Sequence, residues 1–145
     1  MMSVAYALGR ICVPIVFIWS AIQKLLNIGG FAKTLTDIQV PIPDEVAAYL
    51  GSMPKYVALA YLLAGLELIC GLMIVVGLKA RWGALVLIVF TAATVFYVHR
   101  FWDMEGADYV LHQTHALKNL SILGALLLIV AVGSGPHSLE RRPPE

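Results

Sequence analysis

The chain has 145 residues, of which 60% are hydrophobic and only 13% charged, and its formal net charge is +1. Soluble domains carry about a quarter charged residues, so this composition excludes an ordinary water-soluble fold, and the near-neutral charge leaves no nucleic-acid footprint. The two cysteines, Cys12 and Cys70, have no CxxC partner, which excludes zinc-ribbon and haem-attachment spacings.

Four apolar stretches are long enough to cross about 30 Å of hydrocarbon. They run from about Val4 to Asn27, Tyr56 to Leu78, Trp82 to Phe101 and Thr114 to Ser134. The expected fold is an all-α integral membrane protein: one domain, 1–145, built as a four-transmembrane-helix bundle with a short amphipathic helical loop between helices 1 and 2. The segment Met1–Leu8 has no basic residue and no small-x-small site closes the first run, so the first span is expected to stay as a helix rather than be cleaved.

The first span holds Arg10, Cys12, Pro14 and Lys24, and Pro14 is expected to kink it. Gly29-Gly30 is expected to break that helix. Phe31, Leu35 and Ile38 then recur at i, i+4 and i+7, the pattern of a short helix lying on the membrane interface, and Pro41 and Pro43 should stop it. Asp44-Glu45 fits the start of a second short helix through Leu50. The second span holds a lone charge, Glu67, with Ala60, Ala64 and Gly71 on the same face. Small residues let helices approach closely in lipid, so that face should turn inward. A tight Gly77–Arg81 turn leads to the third span, which ends in His99-Arg100-Phe101-Trp102. Asp103–Gln113 reads as an acidic loop carrying His112, and the fourth span opens with His115, Lys118 and Asn119. The density of Lys79, Arg81, Arg141 and Arg142 in short segments favours both termini on the cytoplasmic side.

A carboxylate at the bilayer midplane is costly and marks a site or a pathway, so Glu67 is the first candidate functional group. Arg10 and Lys24 are 14 residues apart, nearly one helix face. Depths taken at about 1.5 Å per residue put Glu67 about 18 Å and Arg10 about 25 Å from the outer ends, which suggests an Arg10–Glu67 ion pair. That pair reads either as a structural clamp or as a proton-accepting or ligand-binding group. Lys24, His99, His115 and Lys118, with Asn119, form a second cluster nearer the outer surface. Two lysines and a histidine there could donate to a carbonyl-bearing head group such as a quinone, or pass it a proton. His112 and His115 lack a carboxylate at ligand spacing, so no metal site is expected. Cys12 and Cys70 come out at nearly equal depth, where a thiol relay is conceivable, although two small buried apolar residues is the simpler reading.

Four segments then carry a resemblance: LGRICVPIVFIWSAIQKL at 8–25, LELICGLMIVVGLKARWGALVL at 66–87, VHRFW at 98–102 and HALKNLSILGALLLIV at 115–130. With their spacing, and with Arg10, Lys24, Glu67, His99 and Lys118 in order, the chain resembles the DoxX family of small four-helix membrane proteins. It departs at Ala21-Ile22, where the family often has glycine. The resemblance implies a bacterial inner-membrane protein, and members look like subunits of quinone-linked oxidoreductases or of membrane complexes that answer oxidative stress. The leading expectation is therefore a quinone-interacting subunit of a redox complex, with Glu67 and His99 in the catalytic positions and Arg10, Lys24, Lys118, Asn119 and His115 binding the ligand. No flavin, nicotinamide or other resident redox motif is visible, so electrons would come from a redox protein partner or pass between bound molecules. A homodimer is also compatible with the small-residue faces. The alternatives are a non-catalytic assembly scaffold and a small proton-coupled transporter.

Overall fold

The computed structural model describes residues 2–42 and 53–140; the short helix expected at 44–50 lies outside the described residues. The described chain forms α1 (Met2–Leu26), α2 (Ile28–Asp37), α3 (Lys55–Val76), α4 (Ala80–Tyr97), a 3₁₀ turn (Phe101–Asp103) and α5 (Gly106–Val132). Four stretches, Val4–Leu26, Lys55–Val76, Ala80–Asp103 and Gly106–Val132, are long and apolar enough to cross a membrane. Large apolar side chains such as Trp82, Val89 and Leu128 point outward, as a lipid-facing surface requires. The protein is an all-α, four-span membrane bundle.

Neighbouring helices pack in sequence: α1 on α3, α3 on α4 and α4 on α5, while α1 meets α5 only slightly and α2 folds back onto α3. The α1–α3 contact is close because the meeting face of α3 is small. Ala60, Ala64 and Gly71 are buried on that side together with Glu67. A Cβ on Gly71 would stand 2.9 Å from Cγ1 of Ile18 and 3.6 Å from the Pro14 carbonyl oxygen. Helix α1 runs unbroken past Pro14, which is itself fully buried at this crossing.

One end of the bundle is solid. Phe17, Cys70, Ile74, Leu87, Leu126 and Ile129 form a continuous core there. The chain after α5 closes this end: the backbone N–H groups of Leu139 and Glu140 donate to the carbonyls of Val76 and Gly77, at 3.0 and 3.2 Å. Ser134 donates to the Glu140 carboxylate and accepts from the Ala80 N–H, and Tyr6 donates to the Gly133 carbonyl. Gly77 ends α3 at φ 69°, and the Arg10 guanidinium lies so close over it that any Cβ would meet Nη1. At the opposite end, Ala32 and Leu35 of α2 bury against Ala60 of α3. The apolar face of α2 is thus spent on protein, rather than lying free on the interface.

Four local expectations shift. The break after α1 falls at Asn27, whose side-chain oxygen accepts from the Gly30 N–H at 3.1 Å. Gly29 and Gly30 belong to the first turn of α2, and a Cβ on Gly30 would collide with that capping side chain. Helix α2 ends at Asp37, before Pro41, as Gln39 turns to φ 51°. The stretch expected as a loop, 103–113, is mostly helix: α5 begins at Gly106, with extended Glu105 at its cap and Asp108 in its first turn, where the macrodipole favours an acid. Its 27 residues therefore run about 40 Å, longer than the apolar stretch alone indicates. The cysteines are not level either. Cys70 packs with Phe17 in the core, whereas Cys12 is exposed and sits five residues nearer the Arg10 end of α1; both are free.

The α1–α3 crossing yields a prediction. Gly71→Leu should lower the unfolding free energy in detergent by about 1–3 kcal/mol, because Ile18 and the α1 backbone leave no room. Gly124→Ala, where nothing lies within 4 Å of the added carbon, should leave the thermal midpoint unchanged or raised.

Candidate functional site

Between the core and α2 the four spans part around two adjoining cavities. The smaller, about 170 Å³, is polar: Ser20 and Lys24 of α1, Glu67 of α3, Thr91 and His99 from α4 and its end, and Asn119 of α5 all reach it. The larger, about 450 Å³, is apolar and lies under α2, between Leu35, Ile38, Leu59, Leu63 and Tyr97. Ser20, Lys24, Phe90, Thr94 and His99 line both, so the two chambers share a wall or open into each other through it.

Lys24 is the hinge of the arrangement. Its Nζ lies 2.5 Å from Oε2 of Glu67, whose side chain is 2% exposed, while Lys24 itself is 21% exposed. The same ammonium stands 4.8 Å from the ring centre of Phe90 and 5.1 Å from that of Phe31. One carboxylate and two aromatic faces thus replace the water a lysine loses on entering the bundle. The hydroxyls of Thr91 and Thr94 donate to the carbonyls of Leu87 and Phe90, one turn back, and keep acceptor capacity toward the chamber. His99 closes the wall on the far side. Its Nδ1 is 3.2 Å from Nδ1 of His112, and its ring stacks on His115 at 4.9 Å between centres and 13° between planes. Among the described residues no group of three histidines, cysteines or acids could hold a metal ion.

The expected Arg10–Glu67 pair does not form. Arg10 lies against Gly77, ten residues along α3 from Glu67, a rise of about 15 Å that no side chain bridges. Its Nη2 donates to the His137 carbonyl at 2.8 Å, and it is buried at the end closed by the tail. Among the described residues Nε and Nη1 of Arg10 have no partner. Lys24 takes the role because α2 occupies the first turns of α3, so α3 rises past the end of α1 and brings Glu67 within a lysine stem of Lys24. Lys118 is the second correction. It is exposed and lines neither chamber, since it lies about 100° around α5 from Asn119, the residue that does face the polar chamber. His115 touches the site only through its stack on His99, while Asn119 reaches the polar chamber directly. Residues of the chambers that sequence reasoning passed over are Ser20, Thr91 and Thr94. The available signal was Ser20 one turn before Lys24, and two threonines three apart in an otherwise apolar span.

A four-span membrane bundle with a buried lysine–glutamate pair beneath an apolar chamber defines a class of small integral membrane protein with a ligand-sized interior. The family model described as DoxX matches residues 5–100, and the chain belongs to the DoxX family. It is 29% identical over 135 residues to "Inner membrane protein YphA" of Escherichia coli strain K12, covering 93% of this chain and 87% of that protein. It is 30% identical over 139 residues to "Inner membrane protein YqjF" of the same organism, covering 96% and 92%. Comparison with solved structures gives no significant match.

The buried pair predicts a strong non-additivity. Lys24→Met or Glu67→Leu alone should destabilise the protein by about 3–5 kcal/mol, since each strands the other charge. The double variant should recover most of that loss. Denaturant unfolding in mixed micelles, read as a double-mutant cycle, measures the coupling; additive losses would contradict the pairing.

Proposed function

We propose that this chain is an inner-membrane, quinone-binding subunit of a redox or oxidative-stress complex. The observation that carries the reading is the shape and chemistry of the paired chambers. A quinone is a flat ring with carbonyl acceptors on an apolar tail. The polar chamber offers cationic and neutral donors at Lys24, His99 and Asn119. The adjoining chamber, at about 450 Å³, falls within the range of ordinary small-molecule pockets and is walled by aliphatic and aromatic side chains. Phe31 and Phe90 add flat surfaces beside Lys24.

In this reading Lys24 donates to one carbonyl, and Glu67 holds its ammonium in place and balances its charge. His99 is the second hydrogen-bond donor. Residues with no reach to the chamber, Arg10 and Lys118, drop out of the ligand set. The redox partner supplies or accepts the electrons, and inner-membrane placement follows the two relatives, with both termini cytoplasmic by the distribution of lysine and arginine. The solid core between Ile74, Leu87 and Ile129 weighs against a transporter, which needs a path to a second mouth. The scaffold reading remains the rival, with the Lys24–Glu67 pair then serving only to hold α1 on α3.

The test is calorimetric titration of the purified protein with a short-chain ubiquinone or menaquinone analogue. Asn119→Leu keeps the ion pair and should weaken binding about tenfold, the effect of losing one hydrogen bond worth about 1.4 kcal/mol. Lys24→Met should weaken it further, and Lys118→Ala should leave it unchanged. Absence of binding by the unmodified protein, together with a stoichiometric co-purifying protein partner, would move the assignment to the scaffold.

A further inference from the structure

His112 has no place in the ligand site, yet its position is not that of an incidental surface residue. It lies in the second turn of α5, half-exposed and outside both chambers. Its Nδ1 nevertheless meets Nδ1 of His99, the residue that lines both. Two imidazoles joined nitrogen to nitrogen at 3.2 Å share one proton, because one Nδ1 must donate and the other accept. Each ring then keeps its Nε2 as a second port. Such a pair is a two-step proton wire with one ring at the chamber and the other toward the bundle end.

We propose that His112 is the proton-entry residue of the polar chamber and that His112 and His99 form a relay between solvent at the α2 end and Glu67. A proton arriving at Nε2 of His112 makes that ring cationic. The Nδ1 proton of His112 passes to Nδ1 of His99, and the Nε2 proton of His99 leaves into the chamber, where Glu67 accepts it. Each ring gains one N–H bond and loses one and no electrons move; the starting tautomers return when each ring exchanges its protons with water, one nitrogen losing a proton and the other gaining one. A cavity of about 170 Å³ lined by Ser20, Thr91 and Asn119 is large and polar enough for water to carry the proton from His99 to Glu67.

The surroundings suit transfer rather than storage. From α5, His115 stacks on the His99 ring and Lys118 lies within electrostatic reach; from α1, Lys24 lines the same chamber; from α3, Glu67 is the one acid there. The Glu67 carboxylate is the acceptor for a proton that leaves His99 into the chamber. His115 stacks face to face on His99, a geometry without a hydrogen bond, so it tunes the relay and does not conduct. The inference concerns proton access to Glu67 in the ligand-free protein, so it stands or falls separately from quinone binding.

The experiment is a rapid pH jump on the full chain in lipid nanodiscs without added ligand. It is followed by infrared absorption of the protonated Glu67 carboxyl, which is assigned by its loss in Glu67→Gln. In His112→Phe and His112→Gln the rate of that band should fall by about tenfold or more, as expected for loss of a positioned proton carrier, with its final amplitude unchanged. Added free imidazole should restore the rate in both. His115→Phe should keep the original rate. Equal rates in the unmodified protein and the His112 variants would overturn the relay, as would equal slowing in His115→Phe or slowing that imidazole does not relieve.

Discussion

The ion pair between Lys24 and Glu67 is the constraint on which the rest of the molecule depends. A carboxylate that is 2% exposed in the middle of an apolar helix cannot stand alone, and its partner must come from a neighbouring span. That need sets the register of α1 on α3. With the Lys24 stem reaching Glu67, Gly71 lies opposite Pro14 and Ile18, and Gly77 lies under Arg10. Small residues occur where the backbones touch, and the charge occurs where they part. The same lysine then forms the wall between a polar and an apolar chamber, so the feature that fixes the packing also builds the interior surface.

The two ends of the bundle do different things for this reason. At the tail end, aliphatic side chains interdigitate and the segment after α5 hydrogen-bonds across the end of α3. Arg10 contributes there, at the carbonyl-rich terminus of α3 where the helix dipole favours a cation. At the α2 end, polar side chains replace aliphatic ones and the helices cannot close completely, because Lys24, Glu67, His99 and Asn119 must each keep a partner. Helix α2 covers the resulting space with an apolar face. The cavity is the consequence of placing several polar groups where a core would otherwise be.

Much of this was legible in the residues. Four spans follow from length and hydropathy alone, and the inward face of α3 follows from Ala60, Ala64 and Gly71 recurring around Glu67. The amphipathic pattern of Phe31, Leu35 and Ile38 located α2, but not its docking surface, since periodicity shows that a face must be buried without showing against what. The same gap misplaced the partner of Glu67. Counting depth from each helix end assumes that the ends are level, and here the α2 contact shifts α3 along α1. Arg10 and Lys24 share a helix face, so nothing in their spacing distinguishes them; only the register does. Lys118 was drawn into the site by the apolar boundary at Thr114, whereas Glu105, Gly106 and Asp108 carry the signal of an earlier helix start.

The central claim is that the base facing Glu67 is Lys24 and that Arg10 belongs to the other end. Solid-state NMR of the protein in lipid bilayers, with nitrogen labels in lysine and arginine side chains and carbon labels in glutamate, reads this without perturbing the pair. The account predicts a strong dipolar coupling between Nζ of Lys24 and Cδ of Glu67, abolished in Glu67→Gln or Lys24→Met, and no coupling from Arg10. A coupling between the Arg10 guanidinium and Glu67 would contradict it, and with it the register, the paired chambers and the proposed site.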